Sequence, residues 1–235
     1  MTYADPKGSQ SNPSPVSKVL IVDDHPAVRE GLASRISRQP DLETCGEAAD
    51  IAEALMLVES TSPDIVVVDI SLKTGSGIDL IKRIKARNGS IRMLACSMYP
   101  DSLYAERAIR AGALGYINKD NSTGRILDAI RTVRNGDVYL SEEATKRLLN
   151  KTIGRADLNG QPSVESLSNR ELEVFKQIGS GQTTNQIAAQ LHLSVYTVDT
   201  YRRRIKQKLS LQNAAELVNA AAQWVLVAHK HDSDA

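Results

Sequence analysis

Four short apolar runs along this chain each end on a polar residue. Val19-Leu20-Ile21-Val22 ends on Asp23-Asp24, and Ile65-Val66-Val67-Val68 ends on Asp69. Met93-Leu94-Ala95-Cys96 ends on Ser97, and Gly115-Tyr116-Ile117-Asn118 ends on Lys119. Uninterrupted apolar runs of this length, rich in β-branched residues, predict strands buried on both faces. A further strand is predicted at 42–48, and helical segments follow the strands near 26–38, 51–59, 77–86, 102–111 and 123–134. Five such units predict an α/β doubly wound fold, a parallel five-stranded sheet with right-handed crossovers. Ligands of such sheets bind at the carboxyl ends of the strands. The polar strand ends therefore predict a site assembled by folding. Contact of strand ends with water is the other reading, and it accounts for one such residue better than for four.

The second half changes to helical periodicity. Gly136-Asp137 closes the first unit, 141–150 reads as a short amphipathic helix, and 151–163 is rich in turn residues. Ser168 and Glu171 form a capping-box pair opening a helix that buries Leu172, Val174, Phe175 and Ile178 and stops at Gly179-Ser180-Gly181. A short helix at 185–191 leads through the turn His192-Leu193-Ser194 into a third helix, capped by Ser194 and running to about 209. That is helix-turn-helix geometry, in which the second helix of the pair enters the major groove of DNA. A fourth helix is predicted at 213–225. The domain reading is a disordered lead-in at 1–16, an α/β domain at 17–137, a linker with a short helix at 138–163, an all-α helix-turn-helix domain at 164–228 and a tail at 229–235.

The strand-end groups define a chemistry. Asp23, Asp24 and Asp69 make an acidic pocket suited to a hard cation such as Mg²⁺. Ser97 and Lys119 suit the oxygens of a phosphoryl group, whose transfer needs mainly positioning and charge neutralisation. Asp69 is then the nucleophile that forms an acyl phosphate. Residues 17 to about 137 resemble a response-regulator receiver domain, on Val22-Asp23-Asp24-His25-Pro26, Val66-Val67-Val68-Asp69-Ile70 and Tyr116-Ile117-Asn118-Lys119-Asp120. The separations Asp24–Asp69, Asp69–Ser97 and Ser97–Lys119, of 45, 28 and 22 residues, fit as well. Residues 163 to about 224 resemble the LuxR-type helix-turn-helix, so the whole chain is similar to the NarL/FixJ-type response regulators. The resemblance implies a sheet order of 2-1-3-4-5 and phosphorylation of Asp69 by a partner sensor histidine kinase. It also implies Mg²⁺ held by Asp23, Asp24, Asp69 and the Ser71 backbone carbonyl, with Ser97 and Tyr116 as switch residues. Ser71 and Tyr99 lie where they would flank an attacking water.

On a helical wheel Val198, Ile205 and Leu209 share a core face, opposite Tyr196, Thr200, Arg203 and Gln207. The resemblance places base contacts at Asp199, Thr200 and Arg203, within a DNA-binding set that also takes in Tyr196 and Thr197. Arg203 suits guanine and Asp199 suits cytosine, while Arg204, Lys206 and Lys208 suit phosphates. Many relatives carry Lys and His where this chain has Asp199 and Tyr201, so the operator cannot be borrowed from them. One recognition helix reads too few base pairs for a genomic target, so a phosphorylation-promoted homodimer on double-stranded DNA is expected. Leu217, Ala221 and Trp224, spaced i, i+4 and i+7, are the candidate seam; ordinary packing on the helix-turn-helix core is the alternative.

Composition adds boundaries. The chain has 235 residues, 41% hydrophobic and 24% charged, ample for two soluble domains. No apolar run approaches the ~20 residues of a membrane span, and residues 1–17 lack the apolar stretch of a secretory signal. Cys45 and Cys96 lie in strand contexts and read as reduced buried thiols, so the expected compartment is the cytoplasm. Net charge is +1, yet 199–209 holds five cations and one anion. Such a cluster fits a nucleic-acid reader or simply a solvated helix face. Gly75-Ser76-Gly77 lacks the Lys-Ser/Thr of a nucleotide loop. His25, His192, His229 and His231 show no metal-ligand spacing. Lys73 stands where receivers usually have Pro. An aspartyl-phosphate phosphatase would need a second acid two residues after Asp69, where this chain has Ser71, so no enzyme is expected.

Overall fold

The computed structural model describes residues 16–72, 75–99, 101–119, 124–152, 164–191 and 193–230. The expectations for the lead-in up to residue 15, Lys73, the linker at 153–163, His192 and the tail from 231, which includes His231, lie outside these residues.

In the first domain β1 (Ser17–Val22), α1 (Pro26–Ile36), β2 (Leu42–Ala48), α2 (Ile51–Thr61) and β3 (Ile65–Asp69) follow one another. A small antiparallel hairpin, β4 (Ser71–Leu72) and β5 (Gly75–Ser76), precedes α3 (Gly77–Arg87). Then come β6 (Arg92–Ser97), α4 (Asp101–Ala111), β7 (Gly115–Asn118), α5 (Ile126–Arg134) and α6 (Glu142–Thr152). The five long strands form one parallel sheet in the order β2-β1-β3-β6-β7. This is the expected 2-1-3-4-5 once the hairpin is set aside.

Strand alternation sends successive residues to opposite faces, and two cores result. Leu20, Val22, Val66, Val68, Met93 and Ala95 pack toward the side covered by α2, α3 and α4. Val19, Ile21, Ile65, Val67, Leu94 and Cys96 pack toward α1 and α5. Because both faces are covered, all five residues of β3 are buried, and the four before Asp69 form an unbroken apolar run. The edge at β7 is extended by Tyr139, whose carbonyl accepts from Tyr116 N–H at 2.9 Å and whose N–H donates to Leu114 at 3.0 Å.

The parallel register aligns Val22 with Val68, Asp69 with Cys96 and Ser97 with Asn118. Asp23, Asp69, Ser97 and Lys119 are thereby brought to one end of the sheet. Gly77 lets α3 begin against that end. A Cβ at residue 77 would overlap the Asp69 carbonyl, so no other residue fits without moving the backbone that carries Asp69.

The second domain contains α7 (Asn169–Gly179), α8 (Thr184–Gln190), α9 (Val195–Lys208) and α10 (Ala214–Lys230). The Ser168–Glu171 capping box is formed, and a second one joins Thr183 to Gln186. Ser194 caps α9 by accepting from Thr197 N–H at 3.0 Å. The core gathers Leu172, Phe175, Ile178, Ile187, Val198, Ile205, Leu217 and Ala221. Gly179 permits α10 to cross close to α7, since a Cβ there would strike the Ala221 carbonyl.

Candidate functional site

The strand ends meet as a cluster of acids around one cation. Lys119 Nζ lies 2.6 Å from Asp23 Oδ2 and 2.7 Å from Asp69 Oδ2. The second Asp69 oxygen accepts from Ser71 N–H at 3.0 Å. Asp23 Oδ1 accepts from His25 N–H at 2.9 Å, and the His25 ring Nδ1 lies 2.8 Å from Asp24 Oδ1. Asp23, Asp24 and Asp69 are all buried. Burial works against charge on Lys119, but Asp69 and Asp23 outweigh it and hold the ammonium above its ordinary pKa. Burial also pushes the Asp69 carboxyl up, with Lys119 pulling it back.

Ser97 is fully buried, and its hydroxyl oxygen accepts from Tyr99 N–H at 3.1 Å. Tyr116 lies inward, 1% exposed, with its hydroxyl donating to the Tyr99 carbonyl at 2.6 Å. Asn118 Nδ2 donates to the same carbonyl at 3.2 Å. The structure thus brings Asp23, Asp24, Asp69 and Lys119 into one cluster, with Ser97 at the same end of the sheet and its hydroxyl engaged by Tyr99 N–H. The approach of His25 to the acidic pair was not legible in the sequence, because a neighbour in the chain need not turn its ring back.

Among the described residues, Asp23, Asp24, His25 and Asp69 bring potential ligand atoms within 4.8 Å of one another. Three buried carboxylates face one lysine, so the cluster carries excess negative charge that burial makes costly. Oxygen donors with that imbalance suit a hard divalent cation, and the residues fit one.

On α9, Tyr196 is 81% exposed, and Asp199, Arg203 and Arg204 are exposed beside it. Thr200 and Lys206 are half-buried, and the Thr200 hydroxyl donates to the Tyr196 carbonyl at 2.9 Å. Thr197 sits at the capped N-terminus, its hydroxyl 2.7 Å from that of Ser194. Val198 and Ile205 are fully buried, as the wheel requires.

Lys208, expected at DNA phosphates, has its Nζ 2.6 Å from Glu171 Oε2 and 3.2 Å from the Ser166 carbonyl, tying the end of α9 to the start of α7. A buried carboxylate draws the nearest cation more strongly than water does. Leu217 and Ala221 are fully buried against α7, and Trp224 packs on Phe175 with ring centroids 5.8 Å apart. Leu217 and Ala221 thus serve the core of this domain, while Trp224 keeps part of its surface toward solvent. Among the described residues of α10, the large apolar side chains that face outward are Val218 and Leu226, 44% and 66% exposed.

A doubly wound sheet carrying this acid–lysine–hydroxyl cluster, followed by a helix-turn-helix, defines a two-component response regulator. Residues 19–131 match the family model of the response regulator receiver domain, and residues 165–221 match that of the bacterial regulatory proteins of the luxR family. The chain is 34% identical to the oxygen regulatory protein NreC of Staphylococcus carnosus over 214 residues, covering 89% of this chain and 99% of that protein. It is 35% identical over 213 residues to a putative transcriptional regulator of Pseudomonas aeruginosa, covering 90% and 100%. A solved LuxR-family response regulator from Aurantimonas sp. SI85-9A1 is 34% identical, with a TM-score of 0.54 over 59% of this chain and 99% of that one. RcsB from Salmonella enterica serovar Typhimurium, solved bound to promoter rprA with the phosphomimetic BeF3-, is 24% identical. Its TM-score is 0.62 over 88% of this chain and 98% of that one, a likeness of fold. This chain belongs to the response regulators that join a receiver domain to a LuxR-type DNA-binding domain. It is a transcription regulator, not an enzyme. Among the described residues no helix is long and apolar enough to cross a membrane.

Proposed function

We propose that Asp69 accepts a phosphoryl group from a partner sensor histidine kinase and that this controls sequence-specific DNA binding. One Asp69 oxygen attacks phosphorus as the phosphorus–nitrogen bond of the donor breaks, leaving an acyl phosphate on Asp69 and the histidine free. Lys119 then pairs with a phosphoryl oxygen, and Ser97 donates its hydroxyl hydrogen to another. Asp23, Asp24, Asp69 and the Ser71 carbonyl would hold Mg²⁺, which neutralises charge on the transferring group. Ser71 in β4 and Tyr99 after β6 line the cavity beside Asp69, which supports a role for them in governing access of water to the acyl phosphate. The observation carrying this reading is Lys119 bridging Asp23 and Asp69 at 2.6 and 2.7 Å, beside a cavity of about 520 Å³.

For DNA the reading assigns base edges to Asp199, Thr200 and Arg203 and phosphates to Arg204 and Lys206, with Tyr196 and Thr197 at the groove-facing start of α9. Lys208 is left out because Glu171 holds it. A homodimer on paired half-sites is joined through the outer face of α10 at Val218 and Leu226. The cytoplasm is taken as its compartment, a reading supported by the match to the receiver family and by the free thiols Cys45 and Cys96.

Intact-mass measurement after incubation with acetyl phosphate and Mg²⁺ tests the assignment. One added phosphoryl group is expected on the native chain and none on Asp69→Asn; a persistent adduct on that variant would sink it.

A further inference from the structure

His25 brings a ring nitrogen to the acidic cluster. The residue stands at the N-cap of α1, where its carbonyl accepts from Val28 N–H at 3.1 Å and from Arg29 N–H at 3.2 Å. A polar side chain at that position ordinarily caps the helix by accepting from an N–H of the first turn. The His25 side chain makes no such bond. It turns back instead, with Nδ1 2.8 Å from Asp24 Oδ1 and 3.3 Å from Asp23 Oδ1. Arg29 donates through Nη1 to the Asp23 carbonyl at 2.5 Å, which ties the loop carrying both acids to the start of α1.

The cluster has two sides. Lys119 takes Oδ2 of Asp23 and of Asp69, whereas the His25 ring lies against Oδ1 of Asp23 and of Asp24. Ligand atoms about 2.1 Å from an octahedral cation stand about 3.0 Å apart when adjacent and about 4.2 Å apart when opposite. The ring nitrogen is therefore at close to the adjacent spacing from two carboxylate oxygens. One ligand atom from each of Asp23, Asp24, His25 and Asp69 falls within 4.8 Å of the others, and His25, Asp24 and Asp69 line the same cavity. The plainer account is a surface pair of histidine with acid, since the ring is 60% exposed, and such pairs contribute little. The two accounts differ in one respect: a surface pair does not distinguish one divalent cation from another, and a ligand ring does.

We propose that His25 is a metal ligand of this site and that its imidazole turns the preference of the acidic cluster from Mg²⁺ toward first-row transition cations. This rests on the reading that Asp23, Asp24 and Asp69 hold a divalent cation. Mg²⁺ is hard and keeps to oxygen, whereas imidazole nitrogen suits the softer first-row cations. The acids contribute a preference of their own, so the change on removing the ring is what reports the nitrogen.

Calorimetric titration of the full chain with Co²⁺ and with Mg²⁺ gives the ratio of the two affinities. His25→Ala should lower the Co²⁺-to-Mg²⁺ ratio on the order of tenfold or more, since even groups behind the ligands change metal affinity by about that factor. A ring that only steadies Asp24 or the fold acts on both cations alike, so an unchanged ratio overturns the proposal. Proton NMR of the Co²⁺ complex supplies a direct signature. Strongly shifted histidine ring resonances are expected from the native chain and should vanish in His25→Ala. Their absence from the native chain, or their persistence in the variant, rejects the ring as a ligand. If Mg²⁺ binds the native chain and the ratio does not move, the role of His25 falls while the cation site stands. If neither cation binds the native chain, the reading of a divalent-cation site falls and the proposal falls with it.

Discussion

Replacing Lys208 by Ala should destabilise the DNA-binding domain while leaving the salt dependence of DNA binding nearly unchanged. Glu171 is 3% exposed, and its carboxylate accepts from Ser168 N–H at 2.7 Å and from Lys208 at 2.6 Å. Loss of Lys208 leaves the capping bond but removes the only cation described beside that acid, and a buried acceptor deprived of a charged partner costs roughly 1–3 kcal/mol. The lysine side chain is 39% exposed, so solvent screening places the effect at about 1–2 kcal/mol. For a domain of this size that is a fall in Tm of about 5–15 °C. Thermal unfolding followed by the fluorescence of Trp224, the chain's one tryptophan, measures it. Burial opposes ionisation of Glu171, yet the bonds from Lys208 and Ser168 prevail and hold its pKa below the usual value. A depressed folded-state pKa contributes stability that is present above the unfolded value and lost as pH falls through the folded one. The deficit of Lys208→Ala should therefore be full at pH 7 and shrink below about pH 4. In a double-mutant cycle, adding Glu171→Gln should remove most of the difference. An unchanged Tm together with a salt slope shallower by about one would refute the reasoning and return Lys208 to the DNA phosphates.

Lys119→Ala leaves the Asp23 and Asp69 carboxylates buried without the cation that bridges them, and should lower the unfolding free energy by about 3 kcal/mol without metal; urea denaturation with and without Mg²⁺ should show a larger metal-dependent gain than in the native chain. The same variant should accept phosphate slowly from acetyl phosphate without the native gain in DNA affinity, measured by fluorescence anisotropy. Gly77→Ala must displace the backbone of Asp69, so a stability loss of about 1–3 kcal/mol should accompany slower phosphorylation; a native rate measured by intact mass would argue against the tight approach of α3. Arg203→Ala should cost roughly 1–3 kcal/mol of DNA affinity and relax one base position, readable by binding selection from randomised duplexes.

The strand sequences by themselves carried the parallel, doubly covered sheet, and the family resemblance supplied its strand order. An unbroken apolar run such as Ile65–Val68 is stable only where helices cover both faces, and the sheet order then places the residue after it, Asp69, at the shared edge. Asp23, Asp69, Ser97 and Lys119 are therefore adjacent by topology, and their chemistry follows from residue type. The helix starts at Ser168 and Ser194 were equally legible, because a cap is a local bond between residues three apart. Helix faces were harder to read. Leu217 and Ala221 have the spacing of either a core or a seam, and only the crossing of α10 at Gly179 decides that they are core. Lys208 belongs to a basic run in which nothing local separates a solvated cation from one captured by Glu171, 37 residues away. Lys176, whose Nζ lies 4.0 Å from the centre of the Tyr99 ring, owes that partner to how two domains joined by a linker meet. A side chain's partner in such a contact is set by rigid-body packing, and no periodicity along the chain records it.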